Sequence, residues 1–172
     1  MDTQHDEWLE IVDDHDRVVG RARRAECHGN PNLVHRTAHV VVFASDGRLL
    51  LQKRSRGKDI QPGKWDTAVG GHLSPGENYE QAARREAAEE LGIDLGHEPL
   101  EFLFQHHIRN RVESENVAVY KLVHDGPFRP PPGEVDALQF WSADEIAQAR
   151  GTGSFSPNLE HELDKLAPLL RA

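Results

Sequence analysis

Residues 70–93, GGHLSPGENYEQAARREAAEELGI, decide how this chain is read. The stretch opens on a glycine pair, turns through Pro75 and Gly76, and runs alanine-rich and charged to Gly92. Asn78 can accept from the free amides of a helix start, and residues 79–91 are mostly strong helix formers. Tyr79, Ala83, Ala87 and Leu91 recur every four residues and form one apolar stripe, with two alanines small enough to let a sheet come close. Gly92 is placed to cap the C-terminus. Glu86, Glu89 and Glu90 stand at i, i+3 and i+4, so their carboxylates share another face. They repel one another, and Glu89 and Glu90 sit where the helix macrodipole disfavours negative charge. Arg84 and Arg85 offset part of this. Two readings follow from the pattern: a solvated outer face, or a face on which a hard divalent cation turns repulsion into binding.

Around this segment lies a chain of ordinary single-domain size, 172 residues read as one domain. Its 20 basic and 29 acidic residues give a formal net charge of −9. A surface that acidic is poorly suited to nucleic acid, which demands a basic one, although a small phosphorylated molecule can still be held by a local basic patch or a metal. Cys27 is the only cysteine, so no internal disulfide forms. The polar N-terminus, MDTQHDEW, is unlike a signal or transit peptide, and no apolar run reaches membrane-spanning length. These features lead us to expect a cytoplasmic protein with no membrane partner, and they leave a homodimer open.

Strand-like runs precede and follow the central helix. WLEIV and RVVGRA flank the turn DDHD, and AECHGNPN reads as irregular. TAHVVVFASDGRLLLQKRS reads as a hairpin about Ser45-Asp46-Gly47. GKDIQPGKW reads as a loop and DTAVGG as a short strand. LEFLFQHHI, ENVAVYKLV and ALQFW are further strands, with FRPPPGE a loop between elements. SADEIAQAR and SPNLEHELDKLAPLL, residues 142–150 and 156–170, read as helices with Ser142 as a cap and Pro157 in a first turn. The class is therefore mixed, α/β or α+β.

The spacing of the opening segment resembles the Nudix box, at residues 71–93. Gly71, Glu77, Arg85, Glu86, Glu89, Glu90 and Gly92 all stand at the fixed positions of that box, followed by the apolar Ile93. With residue frequencies of several per cent each, chance agreement is roughly one in ten million. Ala87 departs, standing where a larger aliphatic residue is usual. The resemblance implies an α/β/α sandwich with a mixed sheet and the box as a loop–helix–loop. It implies Mg2+ or Mn2+ held by Glu86, Glu89, Glu90 and the carbonyl of Gly70, with Glu77 and Arg85 orienting the carboxylates. It leaves the catalytic base open among the box glutamates and a remote loop; Glu86 and Glu115 are the candidates, beside Glu90 as a catalytic ligand.

The flanks resemble isopentenyl-diphosphate isomerases, relatives with the same fold and a different reaction, over much of residues 10–160. That resemblance implies a diphosphate grip by Arg54 and Lys58. The charge run Lys53, Arg54, Arg56, Lys58 and Lys64 reads equally as a solvated loop. It also implies a second metal site for Zn2+ or Mn2+ on His28, His35, His72, Glu113 and Glu115, in a chain whose 11 histidines can mimic such a set. Glu113 and Glu115, two apart, are expected to point the same way from one strand. The isomerase cysteine falls on Gly70, which has no side chain to move a proton, and GTGSFSPN lacks the tryptophan of the matching isomerase stretch. The expected activity is metal-dependent hydrolysis of a diphosphate bond in a small phosphorylated metabolite, such as a nucleoside diphosphate derivative. The alternatives are a non-catalytic ligand-binding or sensor domain, and the isomerase itself.

Overall fold

The computed structural model describes residues 7–58 and 60–170. Most of the N-terminal stretch read as free of a targeting segment lies outside them, as does Asp59 of the loop before Trp65. No helix among the described residues is long and apolar enough to cross a membrane.

The central strand is β3, His35–Phe43, whose β-branched run suits a pleated core. Its alternation feeds two cores. Val40 and Val42 face one side of the sheet, Val41 and Phe43 the other. β8, Ser114–Val123, runs parallel to β3 in continuous register from His35↔Glu115 to Phe43↔Val123. β7, Glu101–Arg109, pairs antiparallel with β8 and ends that side of the sheet.

On its other side β3 is split between two partners. The expected hairpin exists only at its tip, where Val42 and Phe43 pair with Leu50 and Leu49 of β4, Leu49–Arg54. The strands then part, and the stretch read as one short strand fills the gap as two. β5, Trp65–Thr67, pairs with β4, and β6, Val69–His72, pairs with β3. Ala68, buried between them, marks the crossing from one partner to the other. β9, Val135–Trp141, covers the far edge of β4. β1, Trp8–Val12, and β2, Val18–Arg23, form a separate antiparallel pair around the Asp13 turn.

Helices cover both faces. α2, Tyr79–Leu91, lays Ala82, Ala83, Ala87 and Leu91 on the side of Val40 and Val42. Ala87 is fully buried, so a methyl group already fills the place of the usual larger residue. α3, Ala143–Ala149, and α4, Pro157–Leu166, pack Ile146, Leu159, Leu163 and Leu166 on the opposite face. The result is the expected α/β/α sandwich around a mixed sheet. Two local expectations are corrected. Residues 25–27, read as irregular, lie in α1, Arg24–Cys27, a single helical turn closed by the His28 amide on the Arg24 carbonyl at 3.0 Å. α4 stops at Leu166 rather than Leu170, because Pro168 has no amide with which to continue the ladder.

Candidate active site

The loop before α2 is tied to the helix at both ends. The Asn78 side chain accepts from the Gln81 amide at 2.9 Å, and the Gln81 side chain accepts from the Asn78 amide at 2.9 Å. At the other end Gly92 takes φ 63° and ψ 35°, and an added Cβ would lie 2.0 Å from the Arg129 carbonyl oxygen. Arg85 knits loop to helix. Its Nε and Nη2 donate to the two oxygens of Glu77 at 2.8 and 2.9 Å, and Nη2 also reaches the His72 carbonyl at 2.9 Å. Nη1 donates to Glu86 at 2.6 Å and to Glu89 at 3.2 Å. Glu77 also accepts from the Ser74 amide at 2.8 Å, so it holds the turn shut. Gly71 leaves room for the Glu86 carboxylate: a Cβ there would lie 2.0 Å from its carboxyl carbon and push that side chain aside.

Glu86, Glu89, Glu90, Gly70 and Gly71 line a cavity of about 580 Å3 at the split between β3 and β4. Glu90 turns inward and accepts from the Gly70 amide at 3.1 Å. Burial foremost, then the charge of Glu86, pushes its carboxyl up to about 8. Burial likewise raises Glu86. Among the described residues the three box carboxylates do not gather at one point as the histidines below do.

Arg54 and Lys58 line the cavity, each steadied by an acid: Asp66 at 3.4 Å from Arg54, Glu134 at 3.2 Å from Lys58. The remaining cations of the run turn elsewhere. Lys53 lies over the Trp65 ring at 5.9 Å, Lys64 donates to the Gly153 carbonyl, and Arg56 is exposed. The run is thus two cavity-facing cations within a surface loop.

His28, His72 and Glu115 line the same cavity, and the fully buried His35 lies beside them. Each offers a donor atom, all within 4.8 Å of one another. Glu115 Oε1 lies 3.4 Å from Nε2 of both His35 and His72. In a tetrahedral set with bonds of about 2.1 Å, neighbouring donors stand about 3.4 Å apart, so this spacing fits a metal. The Nδ1 of His35 lies 3.0 Å from the Leu33 carbonyl, which fixes a proton on that nitrogen and turns Nε2 toward Glu115. Nε2 of His28 and of His35 are buried without a hydrogen-bond partner. Burial, with Arg24 next, lowers His28 to about 4 and keeps it neutral. His72 goes the other way: burial lowers it, but Glu115 and Glu7 outweigh that and raise it to about 9. Burial would raise Glu115, yet His35 and His72 beside it outweigh that and hold it well below the usual range.

Glu113 does not join them. β8 begins at Ser114, and Glu113 sits in the preceding turn, its carbonyl accepting from the Asn110 amide at 2.9 Å. Its side chain accepts from Asn158 at 3.1 Å at the cavity edge. Glu7, missed in the sequence, faces His72 at 3.5 Å and Arg24 at 3.7 Å. His39 and the wholly buried Glu162 were also missed, and a third buried group, His106, lies beside them. Cys27 is buried against Leu9, Ile11 and Ala22, with burial pushing its thiol up to about 11.

A NUDIX domain model matches residues 33–161. The chain belongs to the Nudix family. It is 36% identical over 144 residues to an uncharacterised Nudix hydrolase of Yersinia pestis, covering 81% of this chain and 75% of that one. It is 35% identical over 168 residues to an isopentenyl-diphosphate Delta-isomerase of Streptomyces griseus subsp. griseus, covering 95% and 85%. The crystal structure of DR0079 from Deinococcus radiodurans matches with a TM-score of 0.78 at 25% identity, covering 92% and 98%. The chain is a Nudix hydrolase of the branch that includes these isomerases.

Proposed function

We propose that this chain hydrolyses the diphosphate bond of a small phosphorylated metabolite, a nucleoside diphosphate derivative among the candidates. The observation that carries the reading is a single cavity lined by the box carboxylates together with Arg54 and Lys58. Glu86, Glu89, Glu90 and the Gly70 carbonyl would hold Mg2+ or Mn2+. When bound, such ions neutralise phosphate oxygens and lower the pKa of a bound water. Arg54 and Lys58 grip the substrate diphosphate across the cavity. Glu86, raised by burial and held by Arg85, is the proton acceptor for the attacking water. Glu115 is the weaker base, because its imidazole partners stabilise the charged form.

His28, His35, His72 and Glu115 hold a second ion, Zn2+ or Mn2+, since imidazole favours these over Mg2+. Gly70, with no side chain, argues against isomerisation. The test is a panel of diphosphate compounds incubated with Mg2+ or Mn2+ and scored by product mass. Cleavage of a P–O–P linkage that stops on chelation supports the reading. An untouched panel, with allylic and homoallylic diphosphates interconverted instead, overturns it.

A further inference from the structure

Beneath the cavity lies a buried array that the box does not use. His39 is the cross-strand partner of Gly70. Its Nδ1 is 2.7 Å from Glu162 Oε2, a contact between β3 and α4. Glu162 is wholly buried, and its other oxygen accepts from Thr67 Oγ1 at 2.7 Å. His106, also buried, faces the same carboxylate oxygen at 3.5 Å. The donors of His39, His106 and Glu162 lie within 4.8 Å of one another, as a metal set would. The spacing decides otherwise. A separation of 2.7 Å is that of a charge-assisted hydrogen bond, shorter than the edge of about 3.4 Å between donors sharing one ion.

The carboxylate fixes the ring and its orientation. A carboxylate this deep needs a counter-charge, and the imidazolium of His39 supplies it. The opposite ring edge faces Gly70: a Cβ added there would come within 3.1 Å of Cδ2 and 3.2 Å of Nε2. His39 lines the cavity, and among the described residues no hydrogen bond occupies its Nε2. The missing side chain at Gly70 is therefore what opens the ring edge to the cavity, next to Glu90, which accepts from the Gly70 amide.

We propose that His39 is a further substrate-contacting residue, its Nε2–H donating to an oxygen of the bound diphosphate, with Glu162 as the positioning carboxylate. This rests on the hydrolase reading above. It adds a third donor to Arg54 and Lys58 in the cavity lining.

The test uses inorganic pyrophosphate with Mg2+ as the probe, on the whole chain. In protein labelled with 15N-histidine, the His39 ring signals should shift on adding the probe; a purely structural histidine would stay put. The variant His39→Leu/Glu162→Leu removes the pair together, which spares the fold an unpaired buried charge. It should bind pyrophosphate about 10- to 100-fold more weakly, the loss of one charged hydrogen bond. Glu162→Gln keeps the ring in place without its counter-charge and should fall between wild type and the double variant. Unmoved His39 signals, or wild-type affinity in a folded double variant, overturn the proposal. Metal retained by wild type and lost with Glu162→Gln, while His72→Ala keeps it, overturns it in favour of an ion at this array. If the double variant does not fold, the His39 shifts and Glu162→Gln decide. Wild-type protein that cleaves no diphosphate defeats the hydrolase reading instead, whereas active protein with an inert His39 defeats this inference alone.

Discussion

At the scale of single residues, the site depends on charges that only a cation or an arginine makes tolerable. Glu90 is the deepest box carboxylate, so Glu90→Gln should leave the fold intact and lower kcat on the order of 1,000-fold, the scale of losing one pre-organised electrostatic contact. Steady-state kinetics at saturating Mg2+, beside a circular dichroism spectrum, check this; near-wild-type kcat would remove Glu90 from the ligand set. For the histidine cluster, protein purified without chelator should carry transition metal by elemental analysis, and His72→Ala should lose it. Cys27 is expected to stay out of the chemistry, with Cys27→Ser keeping wild-type kcat/KM. Thiol reagents should label Cys27 only once the protein is unfolded, since a buried thiol with a raised pKa is scarcely ionised at neutral pH. These roles differ in how visible they are along the chain. Glu86, Glu89 and Glu90 declare themselves because one helix turn brings them together. His39 and Glu162 touch across 123 positions of sequence, and no local pattern announces such a pair.

At the scale of elements, the box is a loop and helix clamped by Arg85 and by the two helix caps. Gly92→Ala must force a left-handed residue and a clash with the Arg129 carbonyl, so denaturant unfolding should show a loss of at least about 2 kcal/mol. The Arg85 hydrogen bond foremost holds the Glu77 carboxyl below its ordinary value. A depressed carboxylate stabilises the fold above its unfolded pKa, and that stabilisation disappears as pH falls through the lower folded value. Stability measured from pH 7 down to 3 should drop, and Glu77→Gln should flatten the drop; an unchanged slope would show that the clamp carries no linkage. The strands themselves were legible from apolar runs, and α2 from its spacing. Partner choice was not. Period-two patterning shows that a segment is a strand but carries no record of its neighbour, so the β3–β4 hairpin looked complete when it zips only at the tip. The turn that removes Glu113 from the strand face was hidden for the same reason.

At the scale of the whole molecule, two resemblances compete: relatives named as hydrolases and relatives named as isomerases. Gly70 separates them. Purified protein with Mg2+ and Mn2+ should leave allylic and homoallylic diphosphates unconverted, followed by mass and nuclear magnetic resonance; measurable interconversion would mean that another group moves the proton. The mixed sheet has a further consequence, in the order of events during folding. His35 and Glu115 face each other across the parallel β3–β8 pair, yet nearly half of the chain lies between them in sequence. Closing so long a segment carries an entropic cost before any contact offsets it, so this pairing forms late. An ion binding the histidine cluster would therefore find no complete ligand set in the nascent chain. It would arrive at a finished sheet, lengthen the native lifetime by slowing unfolding, and leave the folding rate nearly unchanged.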